Sequence, residues 1–194
     1  MTIGRHLRGV CALAALMVLP VAAAAQPAVY ALDPQHSFIH FEVMHFGTST
    51  LRGRIGPIEG AVELDRRAGT GSVSLQVRTA TVDTGLPFFD ARLRQGDLLA
   101  SESDPVAYFV ASRFVFVGDR LRAVRGEITW RGVSQSLELL ATRFGCHTHP
   151  LLKREVCGGD FEGALKRSDF GASFGMPFVA NRVRLVIQVE GIRL

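Results

Sequence analysis

The stretch Val183-Arg184-Leu185-Val186-Ile187-Gln188-Val189-Glu190 places Val183, Leu185, Ile187 and Val189 on one face and Arg184, Val186, Gln188 and Glu190 on the other. A period of two marks a β-strand with one apolar and one mainly wet face, the habit of antiparallel sheets. The pattern recurs upstream. Ile58–Asp65 sets Ile58, Gly60, Val62 and Leu64 against Glu59, Ala61, Glu63 and Asp65, and Ser72–Thr79 sets Val73, Leu75 and Val77 against Ser74, Gln76 and Arg78.

Five further segments read as strands. Ser37–Phe46 carries Ile39, Phe41 and Val43 on one face. Val106–Val117 is apolar on both, with Tyr108, Val110, Phe114 and Phe116 against Phe109, Val115 and Val117. Gly118-Asp119 reads as a hairpin turn into Arg120–Arg131, where Val124, Ile128 and Trp130 share a face. A second turn at Gly132-Val133-Ser134 leads into Gln135–Phe144 with Leu137 and Leu139, and Phe161–Lys166 adds a short strand. Eight antiparallel strands in one all-β domain predict a sandwich or a closed barrel. Only Phe88–Ser101 breaks the rhythm. Phe89, Leu93 and Leu98 approach helical spacing there, between Pro87 and Asp104-Pro105, which predicts a short helix on a long crossover.

The N-terminus has a different character. Arg5 and Arg8 precede ten apolar residues, Val10 to Leu19, then Pro20 and the small residues Ala23-Ala24-Ala25. This is the layout of a cleavable signal peptide over residues 1–25, leaving a domain of residues 26–194. Ten apolar residues are too few for a bilayer core, which takes about twenty. Such a signal implies a periplasmic protein, and no later segment reaches eighteen apolar residues, which implies no stable membrane insertion. The whole chain of 194 residues has net charge +4 and 47 % hydrophobic residues, and removing two arginines lowers the charge to +2. Such a small excess is no nucleic-acid footprint.

The segment from Tyr30 to Phe41 (Tyr-Ala-Leu-Asp-Pro-Gln-His-Ser-Phe-Ile-His-Phe), continued by Val43, His45 and Gly47, resembles the opening of YceI-like proteins. Gly53 falls where that family places its next strand turn. Gly126-Glu127-Ile128-Thr129-Trp130-Arg131-Gly132-Val133 and Arg167-Ser168-Asp169-Phe170-Gly171 resemble two later motifs in the same order, so the resemblance spans residues 29–193. It implies an eight-stranded, lipocalin-like antiparallel barrel in an exported protein that binds a polyisoprenoid inside the barrel. Leu98-Leu99 and Asp104 stand where the family usually has aromatics, both on the crossover.

An eight-stranded barrel has room inside for side chains or one small ligand. The residues expected to line a cavity are Ile39, Phe41, Val43, Tyr108, Val110, Phe114, Phe116, Ile128, Trp130, Leu137 and Leu139, with His45 near one barrel end. The bound molecule would be an isoprenoid lipid, with no other cofactor. A barrel filled by its own thirteen phenylalanines is the competing reading.

Catalytic signatures are missing: no Gly-x-Ser-x-Gly, His-Glu-x-x-His, phosphate loop or dinucleotide fingerprint occurs. Asp83, Asp90 and Asp97 read as a solvated, charge-balanced loop, and Arg167-Ser168-Asp169 as structural, a hydroxyl or carboxylate satisfying backbone donors. His36 and His40, four apart on a strand, lie about 13 Å from each other, too far to share a metal. Cys146, His147, His149 and Cys157 could assemble a tetrahedral zinc site, but the spacing is unlike the usual pairs. In an oxidising compartment a Cys146–Cys157 disulfide closing the loop is favoured, and some exported family members carry a similar pair. The alternative is a periplasmic redox or metal-dependent accessory protein using His147, His149 and the cysteine loop. A homodimer is compatible with the sequence.

Overall fold

The computed structural model describes residues 27–194, so the expected signal segment lies outside the described residues. Ten strands follow one another: β1 (Ala28–Leu32), β2 (Phe38–His45), β3 (Ser49–Ile55), β4 (Ile58–Asp65), β5 (Thr70–Arg78), β6 (Val106–Val117), β7 (Arg120–Trp130), β8 (Val133–Thr148), β9 (Glu155–Lys166) and β10 (Val179–Arg193). Each pairs antiparallel with its neighbours in the sheet order β1-β4-β5-β6-β7-β8-β9-β10-β2-β3, and β1 also pairs with β10. That last pairing closes a ring of eight strands. The antiparallel β1–β4 pair continues the β2–β3 hairpin, so residues 28–65 act as one long bent ribbon beside β10.

The bend has a visible cause. Between Leu32, opposite Gly191, and Phe38, opposite Gln188, the first ribbon takes six steps where β10 takes three. Pro34 offers no N–H to a ladder. The Ser37 side chain enters the gap instead: its Oγ donates to Glu190 O and accepts from Glu190 N, both at 3.3 Å, and Ser37 is fully buried. A kink that spares the neighbouring strand its hydrogen bonds lets one ribbon bend without breaking the barrel.

An eight-stranded barrel and a short crossover helix were both expected, but the sequence pattern did not mark β1, which closes the ring, or β3 as strands, and the extents of the others differ. The helix α1 covers only Pro87–Leu93, with Pro87 in its first turn. Val133 pairs directly with Trp130, so the β7–β8 turn is Arg131-Gly132, one position earlier than the sequence suggested. Both turn residues have positive φ (52° and 70°), as a two-residue turn of this twist requires. Gly53 lies in mid-strand rather than in a turn. It faces Phe41, whose ring would stand 2.5 Å from any Cβ added there.

The crossover, residues 79–105, covers one end of the barrel and is tied down by hydrogen bonds. Trp130 Nε1 donates to Leu99 O (3.3 Å), Arg94 Nε to Ala80 O (2.9 Å), and the Arg131 guanidinium to Leu98 O. Asp90 is buried, not solvated as its loop position implied, and accepts from Thr84 N and Thr84 Oγ1 (2.8 and 2.6 Å). Asp97 and Asp83 pair with Arg92 and Arg54. The carboxylates of this segment therefore serve the fold.

A candidate ligand-binding cavity

Inside the ring lies a cavity of about 150 Å³. Every strand of the ring contributes to it: Tyr30 from β1, Ile58 from β4, Leu75 from β5, Phe109 from β6, Val124 from β7, Leu137 from β8, Phe161 from β9 and Ile187 from β10. Among its lining side chains only Tyr30, Gln76 and Tyr108 carry nitrogen or oxygen atoms, and none is a carboxylate or an imidazole. Such a space excludes a charged ligand, because nothing offsets the cost of taking an ion out of water.

The expected lining residues divide into four groups. Ile39, Phe114, Ile128, Leu137 and Leu139 line the cavity. Phe41 and Phe116 pack against the same core cluster without bordering the space. Val43, opposite Leu51 and Val183, stands beyond it, and Trp130 packs on Phe170 (ring centroids 5.3 Å apart) under the crossover. Tyr108 and Val110 are each 49 % exposed on the outer face, although Tyr108 borders the cavity at the edge of its strand.

The sequence pattern had set Tyr108 and Val110 on one face with Phe114 and Phe116; a β-bulge corrects that. Ala111 pairs with Gly126 and Arg113 with Arg125, so Ser112 is an extra residue and the facing parity reverses there. Before the bulge Phe109 and Ala111 point inward, after it Phe114 and Phe116 do. The same device recurs in β8 between Ala141 and Arg143, bringing Phe144 and Cys146 inward after Leu137 and Leu139.

Residues not expected from the sequence make up much of the wall, among them Tyr30, Leu32, Ile58, Val62, Leu64, Val73, Leu75, Val77, Leu185, Ile187 and Val189. Apart from Tyr30 and Leu32 on β1, their alternation is plain in the sequence, and closure of the ring alone makes all those faces look at one another.

Cys146 and Cys157 sit directly opposite each other on β8 and β9, Cα atoms 4.1 Å apart, and form a disulfide. Cys157 borders the cavity. Such a closure contributes about 2–4 kcal/mol through the unfolded chain. Both thiols are thereby taken, so the four-ligand zinc arrangement is not formed. His149 Nδ1 instead accepts the N–H groups of Leu151 and Leu152 (3.2 and 3.1 Å), capping the β8–β9 loop.

Tyr30 closes the cavity near the disulfide. Its hydroxyl donates to Glu155 Oε1 at 2.5 Å, and burial together with that carboxylate pushes its pKa up to about 12. On the outer surface nearby, His36 Nδ1 and Asp33 Oδ2 stand 2.6 Å apart. The hydrogen bond raises the pKa of His36 and lowers that of Asp33.

At the crossover end His45 lies edge-on to Phe46 (4.7 Å), which stacks on Phe178 (5.3 Å). His45 is therefore a rim residue, outside the cavity lining. Phe46, Leu86, Phe88 and Phe178 are all more than half exposed.

Residues 30–191 match the family model described as the YceI-like domain. The chain belongs to the YceI-like family. Among curated YceI-like relatives, a UPF0312 protein of Pseudomonas aeruginosa (strain LESB58) is 33 % identical over 190 residues, covering 94 % of this chain and 96 % of that one. Protein YceI of Escherichia coli O157:H7 is 30 % identical over 175 residues, 89 % and 91 % of the two chains. The same YceI-like fold appears in a solved structure described as a polyisoprenoid binding domain from Saccharophagus degradans. Its TM-score is 0.63 at 17 % identity, with 85 % of this chain and 98 % of that one covered. No helix among the described residues is long and apolar enough to cross a membrane.

Proposed function

We propose that this YceI-like barrel is an exported carrier that holds the tail of an isoprenoid-type lipid in its interior and acts by binding rather than catalysis. The observation that carries this reading is the continuous apolar wall, drawn from all eight strands of the ring and without a charged group. The description of the Saccharophagus degradans domain as polyisoprenoid-binding supports the ligand class. Burying one five-carbon isoprene unit contributes about 4 kcal/mol before ordering costs, at about 0.8 kcal/mol per carbon. Branched, flexible units fit a wall of Val, Leu, Ile and Phe without any demand for hydrogen bonds.

The volume refines the reading. A cavity of about 150 Å³ lined by aliphatic and aromatic side chains takes a ligand of roughly six carbons. This barrel thus accepts about one isoprene unit as it stands, and a longer tail requires its phenylalanines to swing aside. Titrating delipidated protein with prenyl alcohols of increasing length tests the proposal by thermal unfolding. At a hundredfold excess over Kd a ligand adds about 2.7 kcal/mol, a rise in Tm of about 5–10 °C for a domain of this size. Val124→Phe, which fills the cavity, should abolish the shift while the variant still unfolds cooperatively. No stabilisation by any chain length would remove the reading.

A further inference from the structure

The outer surface near the disulfide carries a cluster that lipid binding does not use. Ligand atoms of Asp33, His36 and Glu190 all lie within 4.8 Å of one another. We propose that these three residues bind a divalent transition-metal ion such as Zn²⁺, on the outside of the barrel and independently of the lipid cavity.

The backbone holds the three in place. Asp33 N donates to Glu190 O at 2.8 Å, and Gln35 N to Asp33 Oδ1 at 2.9 Å. Buried Ser37, next to His36, bonds both backbone groups of Glu190. The kink between β1 and β2 is thus stitched to β10 at the residues that bear the donors. Fixing donors on ordered backbone reduces what a metal must organise when it binds.

The chemistry of the set suits the ion. Two carboxylates and one imidazole balance a double positive charge, and mixed nitrogen and oxygen donors select zinc or a neighbouring first-row metal over calcium. Donors about 2.1 Å from zinc stand roughly 3.4 Å apart in a tetrahedron, so side-chain rotations of about an ångström close the site. The ion takes the position of the proton between His36 Nδ1 and Asp33 Oδ2, which leaves to solvent.

His36 and Glu190 also border an open recess of about 430 Å³, which His147 of β8 lines two residues along from the position in register with Glu190. Gly158 and Gly159 of β9 also line the recess, so no β9 side chain stands at those two positions. Arg143, also on the recess, faces the Asp160 carboxylate at 3.7 Å.

The test is calorimetric titration of tag-free, disulfide-intact protein with zinc chloride, read beside the variants H36Q, E190Q and H149Q. One zinc per chain is expected, weakened at least tenfold in H36Q and in E190Q and unchanged in H149Q. Circular dichroism without metal should superpose for all four proteins, and adding zinc should raise the melting temperature of wild type and H149Q only. Zinc binding lost in H149Q but kept in H36Q would place the ion on the β8–β9 loop and overturn the assignment. Absence of stoichiometric binding, or equal affinity in all four proteins, would overturn it as well.

Discussion

Arg167 shows how a residue can be placed in the right role with the wrong polarity. The motif Arg167-Ser168-Asp169 reads as structural, with its oxygen atoms expected to satisfy backbone donors. In the structure the cation does the work: the buried guanidinium donates to the carbonyls of Ala172, Phe174, Val179 and Ala180 at 2.6–2.9 Å. It thereby shapes the loop that leads into β10. Burial lowers its pKa, yet arginine remains charged at any pH the fold survives. Nothing local in the sequence announces this, because the four acceptors are backbone atoms. Arg167→Met should cost about 3 kcal/mol or more, since charge-assisted bonds are lost and buried carbonyls are left unpaired. Urea denaturation measures it, and a loss below about 1 kcal/mol would refute the role. Tyr30 gives a second test. The folded protein keeps its proton to a pH of about 12, whereas the unfolded chain releases it near the ordinary value of 10. Its stabilising contribution is complete below pH 10 and is lost as pH rises toward 12. The chain has two tyrosines, so ultraviolet titration of Tyr108→Phe reports Tyr30 alone. A midpoint at 10 in the folded protein would contradict the burial and the Glu155 bond.

At the scale of the element, strands with clean alternation were legible and those apolar on both faces were not. Ile58–Asp65, Ser72–Thr79 and Val183–Glu190 face as their sequences say, because polar residues at most of the alternate positions leave one register. Val106–Val117 has no such marker. Its Ser112 bulge, unseen in the pattern, turns Tyr108 and Val110 outward and Phe109 inward. Room for Phe109 comes from Gly126 across the sheet, where an added Cβ would stand 2.9 Å from the ring. Phe109→Ala should therefore cost about 3 kcal/mol or more, the usual range for losing a packed phenylalanine. Val110→Ser should stay within about 0.5 kcal/mol, as half-exposed outer positions do. Chemical denaturation of the two variants decides the facing, and the reverse order of costs would show that the strand has no bulge at Ser112.

For the whole molecule, barrel closure turns a set of half-buried strands into one interior. β10 does most of this, meeting β9 along one edge and both β1 and β2 along the other. A closed eight-stranded, lipocalin-like barrel could be read from periodicity and resemblance together, but β1, which closes the ring, and β3 carry no alternation that marks them as strands. The size of the interior could not, because it depends on which of the large side chains turn inward. The two sequence readings, a lipid cavity and a barrel filled by phenylalanine, meet in the structure: Phe109, Phe114, Phe144 and Phe161 stand in the wall of a space of about 150 Å³. A long lipid must then displace aromatic rings, or else rest on the exposed Phe46, Phe88 and Phe178 at the crossover end. Photo-crosslinking separates these outcomes most directly. A prenyl lipid bearing a diazirine on its terminal unit is incubated with delipidated protein, irradiated and mapped by peptide mass spectrometry. The account predicts adducts on inward residues such as Phe109, Leu137 and Ile187, competed away by unlabelled lipid. Adducts confined to Phe46, Phe88 and Phe178, with none on the inward set, would contradict it.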